Sequence, residues 1–231
     1  MIDGFYLLFL ITLVFTLVVQ FKVTSTFNKY ARVRAGMGQT AAAVARRILD
    51  AHGLFDVKIE RVHGSLTDHY DPRSKVLRLS DSVYSSPSAS AVGVAAHEVG
   101  HAIQHAENYA PIVLRGKLVP VVNVASKFSW IAIMLGLFFS YSSIFLGDYM
   151  ITVGILLFAS TTLFHLVTLP CELNASRRAM TELEVLGWYS QGELQMSREV
   201  LRAAAMTYVA SLAMSFIQLL RLIRIFGNRR D

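Results

Sequence analysis

The sequence has little cysteine and little charge. Cys171 is the single cysteine among 231 residues, so no intrachain disulfide can form and thiol usage leaves the redox compartment open. Only 16% of residues are charged, against 54% hydrophobic, and the mean hydropathy is +0.46. This composition excludes an ordinary soluble globule and describes a membrane protein carrying one soluble module. No internal repeat or low-complexity tract interrupts the chain, whose length allows one compact domain plus a few membrane helices. The formal charge of +6 matters less than where the charges fall, and no nucleic-acid partner is expected.

What is abundant is apolar sequence of spanning length. Residues 4–21, 128–147 and 149–169 are almost wholly apolar, and only Asp148 separates the last two. About 20 apolar residues cross a bilayer's hydrocarbon core, so each reads as a membrane helix. The first lacks the basic leader and small-residue cleavage site of a signal peptide and reads as an uncleaved anchor. Residues 203–220 form a fourth apolar stretch rich in Ala, Ser and Met, flanked by Arg198 and Arg202 before it and by Arg221, Arg224, Arg229 and Arg230 after it. That pattern suits either a spanning helix or an interfacial one. Residues 22–127 hold 14 Lys and Arg against eight Asp and Glu, while the expected turn at Asp148 holds no base. By the positive-inside rule, 22–127 and the region after 169 face the cytoplasm of a multi-pass protein in the cell (inner) membrane.

Within 22–127, residues 39–52 read as an amphipathic helix with Gly53 past its end. Residues 56–62 and 75–79 read as strands, with turn formers between them making a small hairpin. Pro87 and Ser88 open a further helix over 89–107, with Ser88 as N-cap and Val92, Ala95, Ala96, Val99 and Ile103 as its buried stripe.

On that helix stands His97-Glu98-Val99-Gly100-His101. A four-residue step turns a helix by roughly 400°, so both imidazoles project from nearly one face, and Glu98 sits about 100° round, in reach of a water between them. Two neutral imidazoles plus a carboxylate base are what one helix contributes to a water-activating zinc site. A catalytic site needs a third protein ligand and a position for water. The spacing at which some zinc peptidases place a third histidine is occupied here by Glu107, and on a straight helix His105 is about 12 Å from His97, too far to share one ion. Glu172, two residues after Pro170, heads the candidates for the third ligand, with Glu182 and Glu184 as the others. It follows the 149–169 stretch by three residues, which puts the expected chemistry near the bilayer surface.

Three stretches together carry a resemblance: Ala95-Ala96-His97-Glu98-Val99-Gly100-His101-Ala102-Ile103-Gln104-His105, Leu66-Thr67-Asp68-His69-Tyr70-Asp71-Pro72, and Leu169-Pro170-Cys171-Glu172-Leu173-Asn174-Ala175-Ser176-Arg177-Arg178-Ala179. In this order the chain resembles the YugP-like family of bacterial membrane zinc metallopeptidases, distant relatives of the gluzincins, over nearly its whole length. The resemblance implies a zinc cofactor, His97 and His101 as ligands, Glu98 as catalytic base and Glu172 as third ligand. Asn174 departs from the family pattern, which has Asp there, and puts in doubt how a metal-bound imidazole is oriented. His69, His165, Arg177 and Tyr208 are candidates for a second electrophile. In zinc peptidases of this plan an edge strand beside the active-site helix pairs with extended substrate, and 75–79 is the candidate.

The expected fold is mainly α: an integral membrane protein with three or four transmembrane helices and a small α+β zincin-like domain containing a short hairpin or sheet. Its parts are an anchor over 4–21, a cytosolic zincin-like domain over 22–127, a transmembrane hairpin over 128–169, a third-ligand region over 170–202 and a membrane-associated or spanning helix with a basic tail over 203–231. The expected function is zinc-dependent endopeptidase action on membrane or juxtamembrane polypeptides, with the lipid bilayer as surroundings; a homo-oligomer is compatible with the chain. The rival readings are an inactive metallopeptidase-like scaffold, against which Glu98 and all three ligands are present, and a zinc transporter, which would place the histidines inside a span.

Overall fold

The computed structural model describes residues 4–227; Arg229 and Arg230 of the expected basic tail lie outside them. Among the described residues the order is α1 (Gly4–Tyr30), α2 (Ala41–Ala51), β1 (Lys58–Val62), β2 (His69–Asp71), β3 (Val76–Ser80), α3 (Ala89–Ala106), α4 (Ala110–Phe139), α5 (Ile144–Leu186) and α6 (Gln191–Gly227). The chain is thus mainly helical with one small sheet, as its composition implied. α1, α4, α5 and α6 are each long and apolar enough to cross a membrane, so the fourth apolar stretch belongs to a helix as able to span as the other three. The chain divides into two compact units.

One unit holds residues 4–18, 113–170 and 208–227. Large apolar side chains point outward from it, Phe138 at 70% and Phe145 at 85% exposure among them, an arrangement that calls for hydrocarbon around it. Several hydroxyls in this unit turn back onto their own helix: Thr12 Oγ1 donates to the Leu8 carbonyl and Thr16 Oγ1 to the Thr12 carbonyl, both at 2.8 Å. α4 and α5 approach closely at Gly154, where a Cβ would lie 2.8 Å from the Ser129 carbonyl oxygen. Ser129 Oγ donates to the Gly154 carbonyl at 3.1 Å, so a small residue and a hydroxyl join the two helices. The break between them falls at residues 140–143, and Asp148 lies inside α5. Ser140-Tyr141-Ser142-Ser143 supplies the polar turn; one aspartate near a helix start does not end the helix.

The other unit holds residues 19–112 and 171–207. Thr40 caps α2, accepting from the Ala43 amide at 3.2 Å, and Gly53 just beyond it takes φ +70°. Val44, Ala45, Ile48 and Leu49 form the buried stripe of α2. Ser88 caps α3, and every member of the predicted stripe (Val92, Ala95, Ala96, Val99, Ile103) is buried. Leu77 and Leu79 of β3, Leu183 of α5 and Leu201 of α6 complete the core. Each such aliphatic side chain, once buried, contributes about 1.5–3 kcal/mol.

The sheet differs from the hairpin expected between 56–62 and 75–79. Its order is β1-β3-β2, with β1 parallel to β3 and β2 antiparallel to it. The segment read as turn formers contains β2, with Tyr70 opposite Leu77, and β2 and β3 make the hairpin instead. Two aspartates explain why. Asp68 accepts from the amide and hydroxyl of Ser80 at 2.7 and 2.9 Å, and Asp71 accepts from the Arg73 amide and Ser74 hydroxyl at 3.0 and 2.6 Å. Asp68 ties the start of this three-residue strand to the end of β3, and Asp71 closes the turn that joins the two strands. β3 is therefore central and has no free edge for substrate; β1 and β2 are the edge strands, and the Tyr70 ring of β2 lies 5.7 Å from that of His105 on α3.

Candidate active site

His97, His101 and Glu172 come together in the second unit although 75 residues separate the first from the last. Their ligand atoms lie within 4.8 Å of one another. His97 Nε2 is 3.2 Å and His101 Nε2 3.4 Å from the same oxygen, Glu172 Oε2. The two rings stand nearly perpendicular, centroids 4.8 Å apart. Donor atoms each roughly 2.0–2.1 Å from a tetrahedral zinc ion are about 3.3 Å apart, so this spacing suits that ion. Glu172 is 1% exposed, and a carboxylate so deep needs a cation or strong donors beside it. Glu182 and Glu184 do not join the cluster: Glu182 contacts His52 and Glu184 contacts Arg198. Nor does His105, which lies against Tyr70.

The convergence has a simple steric origin. α3 meets α5 at Gly100, where a Cβ would come 2.7 Å from the Ala175 carbonyl oxygen. Nothing larger than glycine permits that approach without backbone movement, and Glu172 is one turn away from Ala175. A second close contact at Gly93, where a Cβ would lie 3.2 Å from the Ser197 Cβ, seats α6 on the same helix. Ser197 Oγ then donates to the Ala89 carbonyl at 2.8 Å.

Each histidine has a partner on its other ring nitrogen. Gln104 Nε2 donates to the Cys171 carbonyl and to Asn174 Oδ1, both at 2.9 Å, which fixes the amide's orientation. Its Oε1 must then face His101 Nδ1, 3.0 Å away, so that nitrogen carries the proton and Nε2 keeps its lone pair towards Glu172. Asn174 Oδ1 also accepts from Arg178 Nε at 2.8 Å, and Arg178 pairs with Glu107 at 2.6 Å. Asn174 thus acts on His101 through Gln104, not by touching an imidazole; an acceptor shared by two donors serves as an amide or a carboxylate. On His97, Ser176 Oγ lies 3.1 Å from Nδ1. Gln104 and Ser176 were not singled out from sequence, though each falls one helical turn from a candidate ligand, three residues after His101 and four after Glu172.

Electrostatics follow burial and neighbours. Burial pulls His101 down, but the Glu172 hydrogen bond, the Glu98 and Glu172 charges and Gln104 outweigh it, and its pKa ends above the ordinary value. Burial pushes the Asp68 carboxyl up against its bonds to Ser80, and the Glu98 charge adds to the rise. Asp68 therefore holds the loop before β2 close enough to α3 to feel Glu98, which is itself buried at 9% exposure. Among the candidate electrophiles, His69 turns Nδ1 towards the Thr67 carbonyl at 2.9 Å and Arg177 follows Ser176 on α5. His165 and Tyr208 belong to the other unit.

Residues 5–227 match the family described as "Putative neutral zinc metallopeptidase". The chain belongs to that family. It is also 48% identical over 212 residues, 92% of each chain, to the Bacillus subtilis (strain 168) protein named "Putative membrane protease YugP". No solved structure matches it. Zinc is the family's metal, and the His97, His101 and Glu172 donor set fits it.

Proposed function

We propose that this membrane protein is a zinc-dependent endopeptidase, with His97, His101 and Glu172 holding the metal and Glu98 serving as base. The observation that carries the reading is the meeting of three donor atoms from two helices within 4.8 Å, with the second nitrogen of each imidazole already engaged by Ser176 or Gln104. Zinc, when bound there, acidifies water and polarises a peptide carbonyl. Glu98, next to His97 on α3, takes the proton of the attacking water as the C–O bond forms, and delivers it to the amine nitrogen as the C–N bond breaks. The buried setting keeps that carboxylate from bulk water. The outer edge of β2, beside α3, offers backbone groups to an extended polypeptide. Membrane proteins and their juxtamembrane tails are the substrates this reading favours, and the positive-inside bias of 22–127 turns the catalytic unit towards the cytoplasm.

The test is cleavage of casein and of unfolded membrane proteins by the purified protein in lipid. Activity should vanish with a chelator and return with zinc, and Glu98→Gln should lower kcat by about 10²–10⁴. Stoichiometric zinc with no cleavage of any substrate would instead mark a metal-bearing scaffold.

A further inference from the structure

A cavity of about 400 Å³ lies in the catalytic unit between α5 and α6. Arg177 of α5 and Arg198 and Arg202 of α6 line it, with Glu184 as the one carboxylate among its lining residues. Glu184 pairs with Arg198 at 2.9 Å, which leaves an excess of two guanidinium charges around one space. Glu199, close enough to feel Arg202, is engaged by the Tyr30 hydroxyl. Met180 and Leu201 give the cavity an apolar wall beside these charges. Ser176 connects it to the site already described: it lines the cavity, and its hydroxyl lies 3.1 Å from His97 Nδ1.

We infer that this cavity is a specificity pocket for an acidic side chain of the polypeptide substrate, an inference that rests on the peptidase reading. A guanidinium matches a carboxylate with two parallel hydrogen bonds, and two such groups around one space select for that anion over a neutral amide. The volume suits a single side chain with its hydration, and the apolar wall accommodates the methylene stem of glutamate. Ser176 brings the cavity to the Nδ1 edge of His97, one imidazole ring away from the Nε2 that faces Glu172, so a side chain held there belongs to a residue close to the cleaved bond in sequence. Charge-assisted hydrogen bonds of this type discriminate by roughly 10–100-fold.

The experiment compares matched quenched-fluorescent peptides carrying Glu, Gln or Lys at each position flanking the cleaved bond, with the full chain in nanodiscs of neutral lipid. The wild type should show kcat/KM about 10–100-fold higher for Glu than for Gln at one position. Arg177→Gln with Arg202→Gln should bring that ratio close to one, and Arg177→Glu with Arg202→Glu should turn the preference towards Lys, with zinc content unchanged in both. Equal rates for Glu and Gln at every position, or a preference that survives both double substitutions, would overturn the pocket. Loss of the preference when anionic lipid replaces neutral lipid would overturn it in favour of a headgroup site. Peptide binding to Glu98→Gln, read by fluorescence anisotropy, separates the two ideas. Arg-dependent binding of the Glu peptide without turnover by any preparation would refute the peptidase reading and uphold the acidic pocket.

Discussion

The two units differ in how far along the chain their polar side chains reach for partners. In the unit of long apolar helices the partner is usually near in sequence: Thr12 reaches Leu8, Thr16 reaches Thr12, and Ser140 reaches Gly136, each four residues back. In the unit that holds the His97, His101 and Glu172 cluster, bonds cross the fold: Ser90 reaches Phe27 over 63 residues, Gln104 reaches Asn174 over 70, and Ser197 reaches Ala89 over 108. Hydrocarbon forces the first solution, because an isolated helix in lipid must satisfy itself before it meets a neighbour. A metal site needs the second, because ligands on one helix cannot surround an ion. The same residue types therefore carry different consequences in the two places, and substitutions should expose the difference.

The largest expected effect is at Gly100. Gly100→Val would drive a side chain into the Ala175 carbonyl, so α5 must move off α3 and take Glu172 with it. Overpacking of this kind costs about 1–3 kcal/mol. Zinc retention after dialysis should be lost along with a lowered unfolding temperature; wild-type zinc content in this variant would show that the helix contact does not position the third ligand.

Next in size is Gln104→Leu, which fills the volume but leaves His101 Nδ1 without its acceptor and Asn174 without one of its donors. Removing such an orienting partner typically weakens metal affinity by 10–100-fold. Competition with a fluorescent chelator reads that shift directly. Thr16→Val in the other unit is the counterpart, since it removes a bond within one helix. Its effect on unfolding should stay within about 0.5 kcal/mol, and a larger loss would erase the contrast between the units.

The smallest effect concerns pH at the β2–β3 turn. The Ser74 hydroxyl, then the Arg73 amide, with Arg78 behind them, hold the Asp71 carboxyl down to about 2. A carboxyl whose folded pKa lies below its unfolded value of about 3.9 stabilises the fold above that value, and the contribution disappears as pH falls from about 4 towards 2. Protection factors of the 73–75 amides, taken against intrinsic exchange at each pH, should fall in that window while α3 stays protected.

How much of this was legible beforehand follows from how local each feature is. The pairing of His97 and His101 was legible because four-residue spacing on a capped helix fixes their shared face, whereas Glu172 stood beside Glu182 and Glu184 as one of three carboxylates able to join them. The helix capped by Ser88 and its buried stripe were legible for the same reason. β2 was hidden because its hold on β3 comes from Asp68 and Asp71, residues whose ordinary meaning is a turn. The break in the apolar hairpin was drawn at the only charge, Asp148, whereas the polar run Ser140-Tyr141-Ser142-Ser143 makes it. Gln104 and Ser176 escape a sequence reading because their roles exist only once α3 and α5 touch, and Asn174 reaches an imidazole only through Gln104.

The central claim is that this three-donor cluster holds zinc and that Glu98 makes it hydrolytic. Zinc content and peptide turnover, measured on the same preparations of wild type, Glu172→Ala and Glu98→Gln, test it most directly. One zinc per chain is expected in wild type and Glu98→Gln, little in Glu172→Ala, and turnover in wild type alone. Wild-type zinc in Glu172→Ala, or wild-type turnover in Glu98→Gln, would contradict it.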